Sequence, residues 1–449
     1  MSRRLFVLPL LLLSLAGCGG GPPPAARNAV VILIDTCRYD DVGRTTPAGA
    51  VTPHLDRFAA SAASLTEATA PAPWTLPSAA SLLTAVYPTE HGALGHYPGF
   101  SRLRPEVPTA PEILRENGFR TGALINVAFL HPTLGLDRGF ETYDHAPGPN
   151  RKVRRAAETF EAAIRWVDAH RGERFFLLIH LFDPHMDFDP PEPHLSRFLD
   201  GYSGPLRPPF GDVKRWREEK GVPPEVRDFA RALYRAEIAA VDEACGRFLA
   251  HLDSTGLAGE TVVVVTADHG EEFWDHGAFE HGHTLFEELI HIPLLIRQPG
   301  RDWPRRVAGR VGLVDVMPTL FDILGLPAHP GWRGESLLPL LEGEGALSPR
   351  YRFSEALLYG YERKVVVGDR YKFTWDEARG RMALFDLAAD PRETRNIAEE
   401  RPETAREMAR VLHDWYRGIL DRTGGSVRGE EVNMEEDVVA ELRALGYVE

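Results

Sequence analysis

Cysteine is scarce in this chain of 449 residues, occurring three times. That scarcity excludes the disulfide frameworks that hold small secreted domains together. Cys37 and Cys245 lie far apart in sequence, could pair only if folding brought them close, and read as buried thiols. An excess of basic charge is missing as well, the formal net charge being −14. A nucleic-acid binder would present a basic face, so that class is excluded, whereas an anionic small molecule held by local positive charge is not. The apolar run 5–16 falls short of the roughly 20 residues that span a bilayer. Neither an internal repeat nor a coiled-coil heptad is present, which excludes solenoids and long zippers.

What is present begins with a signal for export. Arg3 and Arg4 precede the apolar run, which ends in Leu15-Ala16-Gly17-Cys18. Small residues followed by cysteine resemble the lipobox of bacterial lipoproteins. The resemblance implies a signal peptide over 1–17, lipidation at Cys18 and a Gly/Pro-rich tether over 18–27, with membrane attachment through the lipid anchor. The expected place is the bacterial cell envelope, periplasmic or on the outer surface. Gly19 rather than an acidic residue after the cysteine favours the outer membrane if the cell is Gram-negative.

A chain of this length predicts one large α/β domain and a smaller appendage. Residues 28–35 form a largely β-branched apolar run ending in Asp35, as a parallel strand buried on both faces would. Residues 261–268 repeat the design and end in Asp268-His269-Gly270, and 174–180 lead into Asp183-Pro-His185. Three strands thus deliver polar side chains at their carboxyl ends, the edge where open α/β sheets bind ligands. Helical spacing over 153–169 and 226–254 supplies the layers between. From about residue 348 the texture changes to short strand-like pieces and a helix at 402–422, with a further short helix at 435–445. The expected division is a catalytic domain over 28–347 and a C-terminal antiparallel subdomain over 348–449.

The chemistry centres on Pro73-Trp-Thr75-Leu-Pro-Ser-Ala-Ala-Ser-Leu-Leu-Thr84. A small-residue helix is predicted after Pro77, so Thr75 lies where backbone N–H groups and the positive dipole end attract an anion. A threonine there also serves simply as a helix cap. Asp35, Thr75, Asp268 and His269, from separate strand ends and one helix start, together could bind a divalent cation. A threonine hydroxyl is a very weak acid, and a metal bound to its oxygen is what makes it a nucleophile near neutral pH. Carboxylate, imidazole and hydroxyl donors suit manganese or zinc, and calcium or magnesium if His269 is peripheral, with one or two ions accommodated. Residues 268–283 hold four histidines; of these His281 and His283, with His185 and Asp183 nearby, read as clamps on ester oxygens, second-metal ligands or a general acid, and His276 as a loop histidine without a role.

Taken in order, strand-Asp35, Pro-Trp-Thr75-Leu-Pro-Ser, Asp183-Pro-His185, Val-Thr-Ala-Asp268-His269-Gly-Glu-Glu and Gly-His-Thr-Leu-Phe-Glu-Glu resemble the sulfatase family of the alkaline phosphatase superfamily. The resemblance covers nearly the whole mature chain and implies an alkaline phosphatase-like sandwich with a mostly parallel central sheet. Formylglycine sulfatases carry Cys or Ser where this chain has Thr75, and Arg where it has Ala79. Threonine cannot become formylglycine, because oxidising its carbinol leaves a ketone. Thr36 stands where many sulfatases place a second metal-binding aspartate, and His269 where many have asparagine. The pattern is closer to relatives with an unmodified threonine, such as phosphoglycerol transferases and nucleotide pyrophosphatase/phosphodiesterases. It implies a metal-dependent hydrolase or transferase with Thr75 as nucleophile, His185 and His283 assisting catalysis, and Arg38, His281 and Asp183 binding substrate. The substrate is a small-molecule or glycan- or lipid-linked ester, with phosphodiester or phosphoryl chemistry first and sulfate hydrolysis without formylglycine second. A non-catalytic glycan- or lipid-binding lipoprotein is the alternative from another class, and the sequence leaves oligomeric state open.

Overall fold

The computed structural model describes residues 26–96, 99–145, 153–211, 213–219, 221–343, 351–434 and 436–444. The expected signal peptide and Cys18 lie outside the described residues.

The central layer is a nine-stranded sheet. Its elements are β1 (Asn28–Ile34), β2 (Ala63–Thr69), then helix α1 (Thr75–Thr84), β3 (Arg120–Ile125) and β4 (Thr142–His145). Helix α2 (Ala156–Ala169), β5 (Phe175–Leu181), helix α3 (Pro224–Ser254) and β6 (Thr261–Ala267) come next. Strands β7 (His291–Ile292), β8 (Leu294–Arg297) and β9 (Arg306–Gly312) complete it. Strands β6, β1, β5, β3 and β4 pair in parallel, while β8 joins β6 antiparallel and β2 joins β8 antiparallel and β9 in parallel. The β-branched runs read in the sequence are strands β1 and β6, buried at every position, because helices cover both faces.

Register puts the polar ends together. Ile34 pairs with Ala267 on one side and with Leu181 on the other, so Asp35 and Asp268 leave neighbouring strands at the same carboxyl edge. Helix α1 starts at that edge with Thr75 as its first residue. The cap position is Trp74, which makes no side-chain cap hydrogen bond, so the helix-cap reading of Thr75 does not hold.

A second sheet, antiparallel, is built from β10 (Arg352–Ser354), β11 (Arg363–Val367), β12 (Tyr371–Asp376) and β13 (Arg381–Asp386) in that order. Helix α4 (Pro402–Arg422) covers one face, with Ala405, Met408 and Leu412 against Val366, Phe373 and Leu384. The small helix expected near the end runs Glu436–Ala444. Among the described residues no helix is long and apolar enough to cross a membrane. Cys37 and Cys245 are buried free thiols.

Candidate active site

The site is assembled where β1 and β6 end. Beyond β1 the chain turns sharply at Thr36, a non-glycine residue with φ +54°. The Tyr234 hydroxyl of α3 holds that turn, donating to the Thr36 carbonyl at 2.7 Å and accepting from the Arg38 amide at 2.9 Å. Beyond β6, Asp268 Oδ1 accepts the Thr36 and His269 amides at 3.3 and 2.8 Å. Ser78 Oγ donates to the Asp268 carbonyl at 2.6 Å and fastens α1 to the same edge. Thr75 Oγ1 is thereby brought to 3.5 Å from His269 Nε2.

Asp35, Asp268 and His269 each offer a ligand atom within 4.8 Å of the others, and all three are buried. His269 Nε2 lies 3.5 Å from Asp35 Oδ1 and 3.6 Å from Asp268 Oδ2. Both carboxylate oxygens of Asp35, and Oδ2 of Asp268, have no hydrogen-bond partner among the described residues. Burial pushes the Asp35 carboxyl up to about 7, and burial with Asp35 alongside pushes Asp268 up to about 6. Unpaired buried carboxylates are costly, of order several kcal/mol per ion. One carboxylate oxygen each from Asp35 and Asp268 and one nitrogen of His269, mutually within 4.8 Å, therefore fit a divalent cation.

Histidines surround this centre. His281 packs 4.5 Å from His269, ring centre to ring centre, and 5.1 Å from His185. His185 Nδ1 bonds the Met186 carbonyl at 2.7 Å, and burial depresses the ring to about 3. His281 Nδ1 lies 3.1 Å from Glu271 Oε1. His283 sits further out, partly exposed, with Nε2 2.9 Å from Glu272 Oε2 and Nδ1 3.2 Å from the His281 carbonyl. Two neighbours escaped the sequence reading. His180 Nε2 is 3.5 Å from Asp35 Oδ2, and Glu271 is fully buried beside His281. His180 is the penultimate residue of β5, in register with Leu33. Its signal was a lone histidine at the end of a strand otherwise wholly apolar.

Two expected substrate ligands are occupied elsewhere. Arg38 follows the turn at Thr36 and packs against Gly270 and Glu271. Its Nε donates to Asp40 at 2.7 Å, and its Nη1 to Asp275 and to the Glu271 carbonyl, each at 2.9 Å. Asp183 caps α2, accepting the Ala156 amide at 2.7 Å and pairing with Arg155 at 3.0 Å. His276, given no role, bonds Glu288 and stacks on Phe286.

Three stretches of chain are hydrogen-bonded together beside the site. The Pro73 carbonyl accepts the Gly282 amide at 3.0 Å, and the Gly282 carbonyl accepts the Leu358 and Tyr359 amides at 2.8 and 3.0 Å. Trp74 Nε1 donates to the Ala356 carbonyl at 2.6 Å, and the Glu355 amide to the Pro71 carbonyl at 3.0 Å. Residues 71–74 before Thr75, the His281–His283 turn and the segment after β10 are thus one hydrogen-bonded unit.

A parallel sheet with a carboxylate–histidine cluster at its carboxyl edge, a helix-start threonine and a C-terminal antiparallel sheet define a class of protein known from other chains. The sequence matches the family described as Sulfatase over residues 27–326, and that described as N-sulphoglucosamine sulphohydrolase, C-terminal, over 274–416. The chain belongs to the sulfatase family, within the alkaline phosphatase superfamily. Arylsulfatase K of Xenopus laevis is 34% identical over 211 residues, 44% of this chain and 38% of the relative. The chain thus spans well under half the length of that relative. The arylsulfatase of Clostridium perfringens is 24% identical over 459 residues, covering 86% of this chain and 93% of the relative. In fold, the phosphonate monoester hydrolase of Agrobacterium radiobacter superposes with a TM-score of 0.71 at 21% identity, over 88% of this chain and 96% of that one. A protein solved with its substrate D-glucosamine-2-N,6-O-disulfate gives 0.71 at 20% identity, over 88% and 98%.

Proposed function

We propose that this chain is a metal-dependent hydrolase or transferase of phosphate and sulfate esters that works through Thr75, with phosphodiester and phosphoryl substrates preferred. The observation that carries the reading is Thr75 Oγ1 lying 3.5 Å from His269 Nε2, against the unpartnered carboxylate of Asp35. Asp35, Asp268 and His269, with the Thr75 oxygen, would hold a cation of the manganese or zinc kind. That cation, when bound, lowers the hydroxyl pKa and neutralises charge on the ester. Thr75 Oγ then loses its proton to solvent and forms a bond to phosphorus or sulfur, the bond to the ester oxygen breaks, and the leaving oxygen takes up one proton in exchange. His185, whose ring lies 5.1 Å from that of His281, is the histidine proposed to serve that oxygen. A bound anion raises the low pKa of His185, because nearby negative charge favours imidazolium. Water or a second alcohol attacks the threonyl ester in turn and regenerates the hydroxyl.

Sulfate is the second reading. Relatives named arylsulfatase favour it, and the phosphonate monoester hydrolase fold supports phosphorus chemistry. Turnover of nitrophenyl phosphate, phosphodiester, phosphonate and sulfate esters by wild type and Thr75→Ala decides between them. Thr75→Ala should lose about three orders of magnitude in kcat or more, as removal of a nucleophile does. Sulfate turned over fastest, with no phosphodiester activity, would overturn the preferred reading; full activity in Thr75→Ala would overturn both. Attachment to the cell envelope through Cys18 is proposed with it, and fatty-acid labelling that survives Cys18→Ser would refute it.

A further inference from the structure

One buried imidazole beside the cation site takes no part in the ester chemistry. His180, the penultimate residue of β5, has no exposed surface, and neither of its ring nitrogens has a hydrogen-bond partner among the described residues. The neighbouring histidines differ. His185 and His269 hold carbonyls with Nδ1 at 2.7 and 2.9 Å, and His281 Nδ1 meets Glu271 Oε1 at 3.1 Å. A buried ring left unpaired costs stability, so a free imidazole there calls for a purpose. We infer that His180 is a positioning residue for the cation site: in the loaded site its Nε2–H donates to Asp35 Oδ2 and leaves Oδ1 for the cation. This rests on the reading of Asp35, Asp268 and His269 as cation ligands.

Register is the first argument. His180, Leu33 and Thr266 lie level across β5, β1 and β6, and residues level in a parallel sheet present their side chains to one face. Asp35 and Asp268 follow Leu33 and Thr266 by two residues and return to that face, the ladder continuing through the Asp35 amide, which donates to the Leu181 carbonyl at 3.0 Å. His180 therefore lies one side-chain layer, roughly 7 Å along the strands, toward the interior from both carboxylates. Its Nε2 reaches Asp35 Oδ2 at 3.5 Å. It does not join the group of ligand atoms mutually within 4.8 Å, which among the described residues comprises Asp35, Asp268 and His269, so it acts through Asp35.

The second argument compares the two aspartates. Asp268 is anchored through Oδ1 by the Thr36 and His269 amides, and its Oδ2 is left for the cation. Asp35 has no such anchor in the metal-free chain, both its oxygens being unpartnered. Its Oδ1 lies 3.5 Å from His269 Nε2 and its Oδ2 the same distance from His180 Nε2, so the carboxylate stands between a proposed ligand and a free donor. Donation from His180 would give Asp35 the arrangement that Asp268 already has: one oxygen held, the other presented. Carboxylates that ligate metals are commonly held in this way, which fixes their orientation before the ion arrives.

The test titrates manganese, and zinc in a second series, calorimetrically into the chelator-stripped full chain as wild type, His180→Gln and His180→Phe. Glutamine sets an amide N–H near the position of Nε2, whereas phenylalanine keeps the ring and has no donor. The Kd should rise about tenfold to a hundredfold in His180→Phe and stay within about threefold in His180→Gln. The thermal midpoint of metal-free His180→Phe should not fall, because the ring nitrogens have no hydrogen bond there to lose. A wild-type Kd in His180→Phe, an equal loss in both variants, or a metal-free midpoint that falls in step with affinity overturns the proposal. Wild type that binds neither manganese nor zinc overturns the cation reading itself, and this one with it.

Discussion

At the scale of single residues, a buried histidine away from the reaction gives a sharp pH prediction. His91 is fully buried; its Nδ1 accepts the Ala93 amide at 3.1 Å, and its Nε2 lies 3.1 Å from both the Pro77 carbonyl and Ser81 Oγ. A proton on Nδ1 would face an N–H, and burial already holds the ring down to about 3, against an ordinary 6.5. The folded value being depressed, the unfolded chain takes up a proton that the folded one refuses. The contribution is therefore complete above about pH 6.5 and is lost as pH falls toward 3, at up to about 1.4 kcal/mol per unit. Urea unfolding at pH 7.5 and 5.5 should show wild type losing about 1 kcal/mol more than His91→Gln, and equal losses would refute the assignment. The placement of residues was unevenly legible in the sequence. That Asp35, Asp268 and His269 come together could be read because strand ends announce themselves, and that Thr75 opens a helix because proline and small residues mark its start. The pairing of Arg38 with Asp40 and Asp275, and of Asp183 with the start of α2, is tertiary and no sequence pattern encodes it. His180 was hidden by register, which sets it opposite Leu33 and within reach of Asp35.

Among elements, the His281–His283 turn depends on a conformation that few residues adopt. Gly282 has φ +82°, and a Cβ there would lie 3.0 Å from the Leu358 Cβ. Gly282→Ala should cost about 1–3 kcal/mol through backbone strain and crowding, seen as a lower denaturant midpoint at unchanged m. Activity should fall with it, because the same glycine donates to the Pro73 carbonyl two residues before the nucleophile. An unaltered midpoint and kcat would show that the seam tolerates loosening. The parallel strands and the antiparallel C-terminal pieces were legible from apolar periodicity, since period and length distinguish buried strands from amphipathic helices. The seam between them was not. It is made of backbone groups, such as the Glu355 amide and the Pro71 carbonyl, whose pairing no side-chain pattern encodes.

For the molecule as a whole, the cluster of unpartnered carboxylate oxygens predicts that stability follows the cation. A ligand at 1,000 times its Kd stabilises by about 4 kcal/mol, so chelation should lower the thermal midpoint and manganese or zinc restore it. Asp35→Asn should abolish that response without weakening the metal-free protein, because it removes a buried charge left unpaired there. A midpoint indifferent to chelator in wild type would remove the metal from the scheme. The seam has a further consequence, in the order in which the chain is made. Asp35, Thr75, Asp268 and His269 all leave the ribosome well before Glu355, Ala356 and Tyr359, which bond Pro71, Trp74 and Gly282 beside Thr75. A nascent chain carrying every proposed metal ligand therefore still lacks part of the seam beside Thr75. That seam closes only with the last fifth of the protein, long after the residues it borders have been made.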